Sequence, residues 1–178
     1  MLGTYRFACL GVACALATPA SADLLAQKSI SAAIAVTIAT TAIETCKANG
    51  YKVSATIVGL NGEVIVQIRG DGTGPHTMEN SFKKAYTART FRIPSGDMED
   101  RLKKNPQMGA QFLTGFTTAR GALPIKVGED VIGAAGVSGA PGGEKDEACV
   151  KSGIDKVASQ LKYPRQFLDG RPAPSPLL

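Results

Sequence analysis

The sequence predicts an α+β domain, a five-stranded antiparallel sheet flanked by helices, and three features carry that expectation. Strand-like β-branched runs come in groups joined by tight turns, segments of helical periodicity lie before, between and after them, and no internal repeat is visible. The implied order is helix, two strands, helix, short helical pieces, three strands, helix.

The first 22 residues read as an export signal and stand outside the fold. Arg6 opens a short apolar run from Phe7 to Ala17, and Ala20-Ser21-Ala22 supplies a small-residue cleavage site. The run is too short for a bilayer, and no later stretch approaches the roughly 20 consecutive apolar residues a membrane helix needs. The remaining 23–178 suffice for one domain with its own core, placed in the periplasm or secreted. Of 20 Lys and Arg only Arg6 lies in the signal, leaving 19 against 15 Asp and Glu. That mild surplus is scattered, aromatics are few and Trp is absent, so no nucleic-acid partner is expected.

Residues 24–49 place Ile30, Ile34, Ile38 and Ala42 four apart, one face of a helix that Gly50 stops. "YKVSATIVGL" and "EVIVQIRG" flank Asn61-Gly62, a hairpin signal over 51–70. After the glycine turn "RGDGTGPHT", a second helix starts near Pro75, with Met78, Phe82 and Ala85 on one face. Residues 94–112, broken by Pro94, Gly96 and Pro106, give short helical pieces. "FLTGFTTA", "GALPIKV" and "DVIGAAGVSG" then read as strands, with Gly128-Glu129-Asp130 turning between the last two. Gly133, Gly136 and Gly139 in the final run imply close packing of another element against it. A helix over about 144–161 closes the domain at residue 162, and a Pro-rich tail occupies 163–178.

Several chemical motifs fail. "GVSGA" is not G-x-S-x-G, since its second glycine comes one place early. "GAPGGEKD" lacks the Gly-Lys-Ser/Thr of a P-loop, so it is either an anion-holding turn or a plain connection. Cys46 and Cys149 survive signal removal. An even number in an exported chain points to one disulfide between the first and last helices, against the alternative of two buried thiols. One histidine and two such cysteines cannot build a tetrahedral zinc site.

His76, the sole histidine, sits where the glycine turn meets a helix N-terminus. Two readings stand: a solvated or capping residue, or an axial ligand to a haem, which brings four donors of its own. Lys83, Lys84 and Arg89 are within reach for carboxylates, and Met78, Met108, Phe82 and Ile93 for apolar surface.

The stretches "GPHTMENSFKKAYTARTF" and "GALPIKVGEDVIGAAGVSGAPGGEKDEACVKSGIDKV" resemble the HbpS/GlcG family of haem-binding or haem-degrading-type domains. That family is related in turn to the C-terminal domain of a cobalamin-associated adenosyltransferase. The most specific pieces are Lys84-Ala85-x-Thr87-Ala88, Gly121–Ile125, and "VIGAAGVSG" followed by a helix start at Asp146. The resemblance implies a profilin-like, three-layer arrangement around a five-stranded sheet, assembly into homo-oligomers, and haem binding in some members. Haem capture, iron-stress protection or redox sensing beside a sensor or transport partner follow as roles. It also implies the Cys46–Cys149 pair of exported members. Arg120 stands where relatives often carry a glycine, narrowing the approach or pairing with a propionate.

The cofactor set so expected is haem with His76 on the iron, Lys83 and Thr87 on one helical face, and Arg89 or Arg120 toward propionates. The competing reading is an enzyme acting on a small metabolite or on haem, with Lys84, Asp71 or Glu79 moving protons beside His76. A further alternative is an oligomeric accessory protein without a ligand. For Lys84 the ordinary reading is a solvated helix charge.

Overall fold

The structure, a computed structural model, describes residues 27–162. The expected signal segment and Pro-rich tail lie outside the described residues. Helix α1 spans Ala32–Ala48, followed by β1 (Ser54–Val58), β2 (Val64–Arg69), α2 (Thr77–Phe91) and α3 (Asp97–Lys104). Two single 3₁₀ turns, Pro106–Met108 and Ala110–Phe112, lead to β3 (Ala122–Val127), β4 (Asp130–Ser138) and α4 (Gly143–Lys156).

Ser31 starts α1: its hydroxyl accepts from the Ile34 amide at 3.3 Å, so the helix begins later than residue 24. The hairpin forms as expected, although only Gly62 of the Asn-Gly pair is left-handed, at φ 80°. The Gly62 amide donates to the Gly59 carbonyl at 3.2 Å, closing a longer turn than the two-residue kind. Helix α4 stops at Lys156, short of the expected 161.

All pairing is antiparallel, in the order β2-β1-β4-β3. Among the described residues the sheet has four strands, not five. "FLTGFTTA" was expected to be a strand on its β-branched and aromatic content, but its backbone groups find partners elsewhere. The Thr117 amide donates to the Thr87 hydroxyl on α2 (3.0 Å), the Ala119 amide to the Thr117 hydroxyl (3.2 Å), and Gly115 turns at φ 82°. Side-chain oxygens thus take the place of a ladder.

Three layers result. Ala55 and Ile57 of β1, Ala135 and Val137 of β4, and Ile125 and Val127 of β3 pack against Ala35, Ile38, Ala39 and Ala42 of α1 and Val150 of α4. Cys46 and Cys149 join α1 to α4 in a disulfide, Cα atoms 5.6 Å apart.

The opposite face, under α2, is small and polar. Alternate residues of β1 reach α2 through hydroxyl pairs, Ser54 to Thr77 at 2.8 Å and Thr56 to Ser81 at 2.7 Å. The Gln67 amide nitrogen donates to both the Thr56 hydroxyl (2.8 Å) and the Met78 carbonyl (2.9 Å). This satisfied seam holds α2 in register where an apolar face would let it slide. Close approach depends on Gly136: a Cβ there would collide with the Ser81 carbonyl and stand 2.8 Å from the Ala85 amide. The glycine spacing of β4 therefore reports packing, as expected.

Candidate functional site

A cleft of ≈ 300 Å³ opens where the N-termini of α2 and α4 meet the end of β4 and the turn before β3. His76, Asn80 and Lys84 bring one stripe of α2 to it, spaced four apart as a helix face requires. Arg120 and Asp146 complete the charged lining.

His76 occupies the N-cap position of α2, with helical backbone angles (φ −70°, ψ −16°) and no side-chain cap bond. Its imidazole is exposed, not spent on the helix start. Gly74 leaves it room, because a Cβ there would lie 2.9 Å from the imidazole Cε1. Asn80, one turn on, donates to the Ser138 hydroxyl at 3.0 Å and ties α2 to the end of β4.

Lys84 and Asp146 form the floor. The Lys84 ammonium donates to Asp146 Oδ2 at 2.7 Å and to the Val137 carbonyl at 3.0 Å, and both side chains are almost wholly buried. Asp146 Oδ1 accepts from the Ala140 amide at 2.9 Å. Burial pushes the Asp146 carboxyl above its ordinary range, against the opposing charge of Lys84 and the bonds it accepts. Gly121, at φ 129°, makes the pair possible: a Cβ there would come within 2.8 Å of the Lys84 ammonium.

Arg120 lies at the rim, about half exposed, with Glu147 at 3.4 Å and Asp97 at 3.8 Å. Glu147 is raised by burial first, with the Arg120 charge acting the other way, and its Oε2 is buried without a hydrogen-bond partner among the described residues.

Of the expected site residues, the structure brings His76, Lys84 and Arg120 together and parts the others from them. Lys83, one position round the helix from the stripe, pairs at the surface with Glu79 at 2.6 Å. Thr87 is fully buried and holds the Thr117 amide. Arg89 lines a different cleft, at the far end of α2. Met78, Phe82, Met108 and Ile93 do not line the His76 cleft, and Asp71 lines a third one beside α1.

Lys84 corrects the reading of a solvated charge: it is 3 % exposed. Asp146 and Asn80 had not been singled out as site residues. The available signal for Asp146 was a carboxylate in the first turn of a helix directly after "GAPGG". That loop's Ala140 amide serves this carboxylate internally.

The donor set fits a haem at its iron and at one acidic edge: an uncommitted imidazole, a rim guanidinium and two helix N-termini of favourable dipole. A haem is too large for the cleft of ≈ 300 Å³ to enclose, so it would fit only by an edge.

The sequence matches the family model described as "Haem degrading protein HbpS-like" over residues 30–155. Among solved structures, HbpS of Streptomyces reticuli, crystallised as a double mutant, is similar at 28% identity and a TM-score of 0.72, covering 79% of this chain and 97% of that one. Protein ORFY of Klebsiella pneumoniae shares the fold at 21% identity, TM-score 0.71, covering 79% and 98%. A PduOC–haem complex does so at 20% identity, TM-score 0.65, covering 71% and 93%. No curated protein matches the sequence significantly.

Proposed function

Because the chain belongs to the HbpS-like family of haem-degrading proteins, we propose that it is an exported haem- or tetrapyrrole-binding protein whose ligand docks at the His76 cleft. The observation that carries this reading is the exposed imidazole of His76 on the rim of a cleft that also presents Arg120. His76 would hold the iron of a bound haem through an imidazole nitrogen, the haem supplying a Lewis-acidic centre. Arg120, now held only by loose contacts at 3.4 and 3.8 Å, would be free to pair with a propionate through a charge-assisted bond. Lys84 and Asp146, already matched, keep the floor of the cleft rigid.

The Cys46–Cys149 bridge and the signal-like first 22 residues support a place outside the cytoplasm. Haem capture or iron and redox stress sensing fits such a place better than turnover. For catalysis, the structure brings only Lys84 of the expected proton-transfer trio to the cleft. The small polar lining favours one second reading, a small metabolite acid held by the same residues.

Haemin titration of the full chain, followed through the Soret band, tests the proposal. Saturable binding weakened about tenfold or more, or shifted in wavelength, by His76→Ala supports it, with a smaller loss for Arg120→Ala. Saturable binding untouched by either variant retains haem and removes this cleft. Absence of saturable binding leaves the metabolite reading, for which small carboxylic acids that raise the melting temperature are the evidence.

A further inference from the structure

The far end of α2 carries a second arrangement of charge that the His76 cleft does not use. Arg89 lies in the last turn and Arg92 caps the helix, and both line a cleft of ≈ 320 Å³ walled by Leu60, Val131 and Ile132. Thirteen residues of helix put Arg89 about 20 Å from His76.

Two facts at this place lack an internal explanation. Arg89 Nε is buried with no hydrogen-bond partner among the described residues, whereas a buried N–H normally finds an acceptor. Arg92 is the one non-glycine among the described residues with positive φ, at φ 60° and ψ 28°. Glycine or asparagine fills that left-handed cap at least cost. The backbone thus accepts strain to keep a guanidinium here. The two groups also oppose each other: burial, then the charge of Arg92, lowers the pKa of Arg89, with the Glu63 carboxylate acting the other way. Cations near a helix C-terminus offset the helix dipole, which explains charge at this end but neither the orphaned Nε nor the strained cap. Of the other charged groups lining the cleft, Lys28 and Asp130 pair with each other at 3.1 Å, and Glu129 adds one carboxylate against the two arginines.

We propose that Arg89 and Arg92 form a receptor for the oxyanion of a small organic acid, a phosphate or a carboxylate, whose apolar body lies against Leu60, Val131 and Ile132. Such an anion accepts from the terminal guanidinium nitrogens that line the cleft and relieves the repulsion between the two groups. Two planar forks suit it through paired N–H···O bonds. Strained residues retained at ligand clamps follow the same logic.

The test uses the full chain, with phenyl phosphate and benzoate as probes, read by calorimetric titration and by melting temperature. Arg92→Gly is the informative variant, since glycine accepts the left-handed cap. The expected result is saturable binding of at least one probe by the wild type, weakened tenfold or more in Arg92→Gly and in Arg89→Gln, and unchanged in His76→Ala. Without probe, Arg92→Gly melts no lower than wild type. The better probe identifies the source, phosphate or carboxylate. No saturation of either probe by about 10 mM, or equal binding by wild type and Arg92→Gly, overturns the proposal and leaves the arginines serving the helix dipole alone.

Discussion

Lys84 and Asp146 show what one buried pair demands of its surroundings. Removing one partner leaves the other charge buried and uncompensated, a loss of about 3–5 kcal/mol in such pairs. Lys84→Met is therefore expected to lose stability on that scale in urea unfolding, and Lys84→Met combined with Asp146→Leu to lose less than the two singly. The carboxyl is raised by burial from an ordinary 3.8. The folded state then holds this proton more tightly than the unfolded chain does, so this group's contribution to stability falls as pH rises from about 3.8 through its folded value. Carbon-13 titration of the Asp146 carboxyl should show a midpoint above the ordinary carboxylate value, and a midpoint at or below it removes the burial argument. None of this was legible in "FKKAY". Two adjacent lysines differ by one step round a helix, and the partner that selects Lys84 lies 62 residues away. His76 and Arg120 were legible because each stands out locally, the one as sole histidine and the other before a "GALPI" strand.

At the scale of elements, α1 and α4 are held by the disulfide and α2 by its hydroxyl seam and glycine contacts. The bridge spans 103 residues, for which chain entropy gives roughly 4–5 kcal/mol. Replacing both cysteines by alanine is expected to lower stability by up to that amount in denaturant unfolding, while the sheet persists by circular dichroism. Gly136→Ala forces α2 off β4, and a loss of about 1–3 kcal/mol, typical of overpacking, is expected from the same measurement. The hairpin, α2, β3, β4 and α4 were readable because period and turn residues agree along each of them. The segment 112–119 was misread because threonines and phenylalanines favour strands by composition, while the position of Thr87 decides where the Thr117 amide goes. That contact exists only once α2 is docked.

For the whole molecule, the fold sorts into one cleft residues that the chain spreads from 76 to 146. Three elements end there, and the fourth strand of the sheet stops beside them, so the site is a property of the packed layers and not of a motif. The same packing separates Arg89 from His76 by the length of α2 and places charged clefts of different character at its two ends. One offers an imidazole and a matched buried pair, the other two arginines without an ion pair among the described residues. On the proposed reading, His76 is the group that holds a tetrapyrrole iron. That reading is tested most directly with haemin and the full-chain His76→Gly variant, with and without added imidazole, by Soret and electron paramagnetic resonance spectra. The variant is expected to lose the wild-type spectrum, and free imidazole to restore it. A variant that binds haemin with the wild-type affinity and spectrum, indifferent to imidazole, contradicts that reading.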